Sequence, residues 1–204
     1  MRRRLKKIDI HSQWYDRFYL EDLASGGDCT VAASASVYAP AWSTVLSRIE
    51  LVERIADFGC GVGQLAELAA ARGYDYKLGV DFSQVAVEAA RKRNPQLADR
   101  FVVADLNQTD LLVSEYDVAV FTETLEHLRD DLTVLSKIPS GRHVVLTVPS
   151  FDYTSHFRFF PDAAGCWRYY ADVLEILSLQ GTPFGGAFTK KKGLILWVLN
   201  GRKR

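Results

Sequence analysis

The chain has 204 residues, and 25 Lys and Arg against 25 Asp and Glu leave it with no formal net charge. That length buries one ordinary core, and 48% hydrophobic with 25% charged residues excludes a disordered or collagen-like chain. The neutrality is segregated: Arg2, Arg3, Arg4, Lys6, Lys7, Lys190, Lys191, Lys192, Arg202, Lys203 and Arg204 form three clusters without an acid, so 14 bases face 25 acids in the rest of the chain and no basic surface for nucleic acid is apparent.

In chain order, the basic start is followed by Asp9, His11 and Gln13 where a secretion signal needs an apolar stretch. Residues 1–51 read as an aromatic-rich helical cap carrying Trp14, Tyr15, Phe18, Tyr19, Tyr38 and Trp42, helical around 41–51. Residues 52–204 read as the core, in one domain. Apolar runs at 54–58, 76–80, 101–104, 117–121 and 143–148 are near-continuous and predict strands buried on both faces. Helices are predicted over 63–72 and over 84–93, the second capped by Ser83 and stopped by Asn94-Pro95. This alternation requires a parallel sheet with right-handed crossovers, an α/β Rossmann-like open sheet with helices on both faces. Residues 169–179 and 194–199 read as two late strands joined by the turn-rich stretch 181–186, pairing antiparallel at the sheet edge. Cys29, Cys60 and Cys166 lack metal-type spacing and fit a reduced, cytoplasmic protein; no run reaches the ~18 apolar residues of a membrane span.

The strongest local signal is Asp57-Phe58-Gly59-Cys60-Gly61-Val62-Gly63, after a strand and before a helix. A dinucleotide loop runs G-x-G-x-x-G and aims a helix N-terminus at a pyrophosphate. Here the third glycine comes one residue early, and Asp57 puts a carboxylate at the head of the turn, which suits a cationic cofactor without phosphate. Asp81 and Asp105 end the next two strands, on the carboxyl edge where open α/β sheets bind ligands.

Those residues resemble the class I, seven-stranded S-adenosylmethionine (SAM)-dependent methyltransferases from about 54 to 160, nearest in motifs to the O-methyltransferases of ubiquinone biosynthesis. The resemblance implies that Asp57, Gly59, Gly61 and Gly63 wrap the methionine part of SAM, that Asp81 binds the ribose, and that Phe82 packs on adenine while Asp105 and the Leu106 backbone read its amino edge. Thr122 would also border the cofactor. Trp14 to Tyr19 resembles a helix that such enzymes fold over SAM, with Tyr15 or Tyr19 at the methionine carboxylate; ordinary packing of these rings is the favoured alternative.

After the fourth strand comes Thr122-Glu123-Thr124-Leu125-Glu126-His127, and after the fifth comes His156 followed by Arg158. A helix opening near Glu123 would put Glu123, Glu126 and His127 on one face. Two carboxylates and an imidazole can hold a divalent cation such as Mg2+, or they stabilise a helix N-terminus. Glu-x-x-Glu-His with a distant His resembles both the ubiquinone-type O-methyltransferases and the small-RNA 2′-O-methyltransferases, in which such residues bind metal. Without metal, His127 is the candidate base, with His156 and Arg158 shaping the substrate pocket. Trp14, Trp167, Tyr169 and Tyr170 are candidates to line that pocket, or core residues. The leading expectation is transfer of a methyl to a hydroxyl of a small molecule. The alternatives are an RNA 2′-O-methyltransferase, a nicotinamide-dependent oxidoreductase and a SAM-binding protein without catalysis. Acceptor and oligomeric state are not legible.

Overall fold

The computed structural model of the chain describes residues 11–185 and 193–204. The basic clusters at 2–7 and 190–192 and the end of the turn-rich stretch lie outside the described residues. No helix among the described residues is long and apolar enough to cross a membrane.

Helices α1 (Ser12–Ser25) and α2 (Ala39–Leu46) precede the sheet, the second opening on Pro40, whose fixed φ suits a first helical turn. Then β1 (Arg54–Phe58), α3 (Gln64–Ala71), β2 (Asp75–Asp81), α4 (Gln84–Arg93), β3 (Phe101–Val103) and β4 (Val118–Thr122) alternate as the apolar runs predict. The Ser83 hydroxyl accepts from the Ala86 N–H and caps α4. The chain ends with α5 (Asp131–Ser136), β5 (His143–Pro149), α6 (Ala163–Tyr170), β6 (Leu174–Phe184) and β7 (Leu194–Lys203).

The seven strands form one sheet in the order β3-β2-β1-β4-β5-β7-β6. Strands β1 to β5 are parallel, and β7 is antiparallel to both β5 and β6, so the antiparallel strand sits one place inside the edge. Consecutive strand residues point to opposite faces, which explains the unbroken apolar runs. Ile55, Val118, Val120 and Val145 pack against α2, α3 and α4, while Ala56, Ala119, Phe121, Val144 and Leu146 pack against α5 and α6. The strand predicted from residue 169 begins only at Leu174, because Tyr169 and Tyr170 belong to α6. Asp162 caps that helix, accepting from the Gly165 N–H, and both tyrosine hydroxyls bond Asp131 on α5.

Strand order reverses between β1 and β4, and a crevice opens there at the carboxyl ends of the strands. The glycine turn after β1 and the acidic segment after β4 therefore meet.

Candidate active site

The glycine turn is shaped by close approaches. The Gly59 and Cys60 N–H groups both donate to the Val80 carbonyl, which bends the chain sharply off β1. Gly59 has φ +90°, and a Cβ there would fall 2.1 Å from the Thr124 hydroxyl, so only glycine lets the segment after β4 approach. Gly61 donates its N–H to Asp81 Oδ2 at 2.9 Å, and Ser83 donates its N–H to Asp81 Oδ1 at 2.9 Å. Burial pushes the Asp81 carboxyl up to about 6 against the pull of these backbone donors.

Above this turn runs a groove of two lobes. The first, about 360 Å³, is bordered by Tyr15, Asp81, Phe82, Asp105, Leu106 and Asn107. Asp105 is fixed by the Asn107 backbone and side-chain N–H groups and by the Gln108 amide. The second lobe, about 410 Å³, lies beyond Gly59 and Gly61 and includes Thr122, Glu123, His127 and His156. Tyr15, Tyr19, Gly59, Glu123 and His127 border both.

Helix α1 roofs the junction although none of its residues is buried. Asp16 Oδ1 accepts from the Ser83 hydroxyl at 2.5 Å and from the Val85 N–H at 3.3 Å, tying α1 to the start of α4. The Tyr15 ring lies 5.3 Å from that of Phe82 and 5.8 Å from that of His127, bridging the lobes. The Tyr15 and Tyr19 side chains remain partly exposed, but desolvation of their hydroxyls raises both phenols well above their ordinary range, so both are hydrogen-bond donors at neutral pH.

The segment after β4 departs from the expected helix. Glu123 has φ +52°, in the left-handed region, and only Leu125–His127 makes a short 3-10 turn. One hydroxyl enforces the kink: Thr147 Oγ1 accepts from the Glu123 N–H at 2.9 Å and donates to Glu123 Oε1 at 3.0 Å. Burial pushes the Glu123 carboxyl up to about 8. Glu126 is fully buried, and neither of its carboxyl oxygens has a hydrogen-bond partner among the described residues. Its burial, reinforced by the charge of Glu123, drives its pKa well up.

The segment after β5 is stitched alongside. His127 Nδ1 donates to the Ser155 carbonyl at 3.0 Å, the Phe157 N–H donates to the Glu126 carbonyl at 2.7 Å, and Arg158 donates to the Leu125, Leu128 and Arg129 carbonyls, each at 2.6 Å. The His127 and His156 rings come within 4.9 Å. One ligand atom each from Glu126, His127 and His156 lie within 4.8 Å of one another. Desolvation, then the His156 charge, lowers His127 to about 3, so it is a neutral imidazole with the proton on Nδ1 and the lone pair on Nε2.

Most residues expected from sequence thus converge: Tyr15, Gly59, Gly61, Asp81, Phe82, Asp105, Leu106, Thr122, Glu123 and His127 border the groove together with His156. Asp57 and Gly63 stand behind it. Asp57 is buried beneath the turn, accepting from the Tyr76 hydroxyl at 3.0 Å, and Gly63 caps α3 with its carbonyl held by Asn94. Arg158 holds the two loops instead of bordering the groove, and of the four aromatics expected at the pocket only Trp14 reaches it. Trp167 is largely exposed, and Tyr169 and Tyr170 face Asp131. Tyr38, Trp42, Phe151, Tyr153 and Phe184 were not expected there and do border the second lobe. They come from four separate segments, so no local pattern marks them.

Residues 55–139 match a family model described as a methyltransferase domain. Over 104 residues the chain is 30% identical to the ubiquinone biosynthesis O-methyltransferase of Acinetobacter baylyi, a stretch that is 45% of this chain and 42% of that protein. The chain therefore spans less than half the length of that curated relative. Among solved structures, the cyclase SpnF superposes with a TM-score of 0.70 at 18% identity, covering 98% of this chain and 99% of that one. A SAM-dependent methyltransferase from Mesorhizobium loti gives 0.62 at 17% identity over 84% and 100% of the chains. A possible histamine N-methyltransferase from Thermotoga maritima gives 0.63 at 15% over 95% and 100%. At these identities the likeness is one of fold.

Proposed function

We propose that this chain is a SAM-dependent methyltransferase acting on a hydroxyl of a small molecule, with residues 1–51 as cap and 52–204 as core of one domain; the match of residues 55–139 to a methyltransferase-domain model and the order of the seven-stranded sheet support the reading. The observation that carries the reading is the two-lobed groove, in which Asp81, Phe82, Asp105 and Leu106 border one lobe, His156 borders the other, and Gly59 and His127 border both. In the first lobe Asp81 retains acceptor capacity on both oxygens beyond its two backbone donors, which suits a pair of ribose hydroxyls. Phe82 and Tyr15 offer ring faces for adenine, with Asp105 and the Leu106 backbone at its polar edge. The Tyr19 hydroxyl, about over Gly61, and the turn's backbone suit the methionine end. The three cysteines are free, which fits a reducing compartment such as the cytoplasm.

SAM supplies a methyl already activated by its sulfonium. The acceptor oxygen forms the new bond to carbon as the sulfur keeps the pair of the broken bond, and the hydroxyl proton must leave. Holding the partners in line can supply ~7–11 kcal/mol, whereas a positioned base typically adds ~10²–10⁴-fold. Tyr15, Glu123 and the stitched loops do this positioning in the proposal.

A second reading attaches to the proton. His127 is a neutral imidazole whose Nε2 lone pair can take the acceptor's proton or ligate a cation. Neither oxygen of the buried Glu126 carboxyl has a hydrogen-bond partner among the described residues, a costly arrangement that a divalent cation would relieve. Glu126, His127 and His156 would hold the ion, with Glu123 beside them, and a bound ion would acidify the acceptor hydroxyl. In a chain read as an RNA methyltransferase the same ion would face a phosphodiester, and no described Lys or Arg borders the second lobe to receive one.

Calorimetric titration with S-adenosylhomocysteine tests the cofactor reading: wild type binds, and Asp81→Ala loses at least about tenfold in affinity, about 1.4 kcal/mol. Absence of binding, or an Asp81→Ala variant that binds as wild type does, rejects it. For the cation, equilibrium dialysis against Mn2+ should find one ion per chain and none in Glu126→Gln; equal uptake by the two proteins rejects the site.

A further inference from the structure

The second lobe has a composition of its own. Nine aromatic side chains border it together with Asp22, Asp28 and Glu123, and none of the described Lys and Arg residues does. The rings are organised into a continuous wall. Trp42 stacks on Tyr38 with centroids 5.7 Å apart, Tyr38 meets Phe184 at 5.0 Å, and Phe184 stacks on Phe151 at 5.3 Å with the planes 14° apart. Phe151 lies 5.9 Å from His156, so the wall leads from α2 to the histidine pair.

The two aspartates are held in place. Asp22 Oδ2 accepts from the Cys29 N–H at 2.9 Å, and Asp28 accepts from the Ser36 hydroxyl at 2.6 Å and the Val37 N–H at 3.1 Å. Gln64 on α3 donates to the Asp28 and Val31 carbonyls, and Arg93 on α4 donates to the Cys29 and Val31 carbonyls, so the loop that carries Asp28 is fastened to the core. These acids are part of a fixed wall.

Resting on the methyltransferase reading, we propose that the second lobe selects an acceptor that carries a protonated amine on a flat apolar frame. Aromatic faces attract organic cations through the ring quadrupole, and a lobe bordered by carboxylates without a compensating base adds a field of the same sense. An anionic acceptor, whether carboxylate or phosphate, would meet like charge and lack a donor of positive charge. With SAM bound, its ammonium would sit at the glycine turn and its one net positive charge would face Asp22 and Asp28, so the field stays negative even with Glu123, pushed up to about 8, holding its proton.

The test uses the 204-residue chain saturated with S-adenosylhomocysteine, that binding having been measured first, and follows the tryptophan fluorescence, to which Trp14 and Trp42 of the lobe contribute beside Trp167 and Trp197, while three probes of one ring type are added: dopamine, uncharged methylcatechol and anionic dihydroxybenzoate. The expected result is dopamine binding at least about tenfold tighter than either other probe. Asp22→Asn, which keeps an acceptor for the Cys29 N–H, should narrow the gap while the melting temperature stays near wild type. Should that variant misfold, the wild-type series decides alone. Methylcatechol or dihydroxybenzoate binding as tightly as dopamine, or no probe binding at all, overturns the charge selection while leaving the methyltransferase reading intact. Failure of S-adenosylhomocysteine to bind overturns both.

Discussion

Asp57 heads the glycine motif in sequence, yet its carboxyl turns inward to Tyr76, with its second oxygen unpartnered among the described residues. Burial raises it from 3.8 to about 7. Because the folded value exceeds the unfolded one, the native state holds a proton that the unfolded chain has released between pH 4 and 7, and stability falls as pH rises through that window. The loss amounts to about 4 kcal/mol by pH 7 if the unfolded carboxyl titrates normally. Asp57→Asn removes the titration, so its urea-unfolding stability relative to wild type should climb from pH 4 to pH 7; parallel curves would show that Asp57 is not the group responsible. Gly59 makes another point, a residue that the motif marks and for which the structure supplies the steric reason. A methyl there meets Thr124 and adopts an unfavourable φ, so Gly59→Ala should destabilise the fold by at least about 1–3 kcal/mol, read from the same unfolding curves.

Between residues and fold stand the two loops that make the second half of the site. Leu125 to Arg129 and Ser155 to Arg158 are joined by one backbone bond, by the His127 imidazole and by one guanidinium, whose charge is balanced by Asp131 at 3.2 Å. Asp131 is 1% exposed in its side chain and also accepts from Tyr169 and Tyr170. Removing one member of such a buried pair strands the other, so Arg158→Ala should destabilise by about 3–5 kcal/mol. Arg158→Lys should recover only part, since an ammonium cannot span three carbonyls with a fixed fork. Equal stability of Arg158→Ala and wild type in denaturant titrations would show the stitching to be dispensable. The same elements mark where the sequence misled. A helix from Glu123 was expected because Glu123, Glu126 and His127 fit helical spacing, but Thr147, 24 residues downstream, grips Glu123 and kinks the chain. The strand expected from residue 169 failed likewise, because an Asp162 cap and a partner on α5 outweigh the strand propensity of Tyr169 and Tyr170.

At the scale of the molecule, the sheet was readable because doubly buried parallel strands leave unbroken apolar runs, and the residues of the first lobe because they follow successive strand ends in fixed order. The aromatic wall was not, since its rings come from α1, the segment before α2, α2, the loop after β5 and the end of β6, and only the closed fold brings them together. Two core clusters share the one sheet, one on each face, and the groove lies along its carboxyl edge, so occupation of the groove should be felt by the whole fold. A ligand that binds only the native state at about 100 times its dissociation constant adds about 2.7 kcal/mol, and a protein of this size gains roughly 2–4 °C per kcal/mol. S-adenosylhomocysteine at that excess should raise the melting temperature by about 5–10 °C in a scanning calorimeter. NAD at the same concentration should leave the transition where it was, because the turn departs from dinucleotide spacing and its Gly61 N–H, a donor a pyrophosphate would need, is already taken by Asp81. A shift with NAD and none with S-adenosylhomocysteine would exchange the two cofactor readings, and with them the chemistry assigned to the groove.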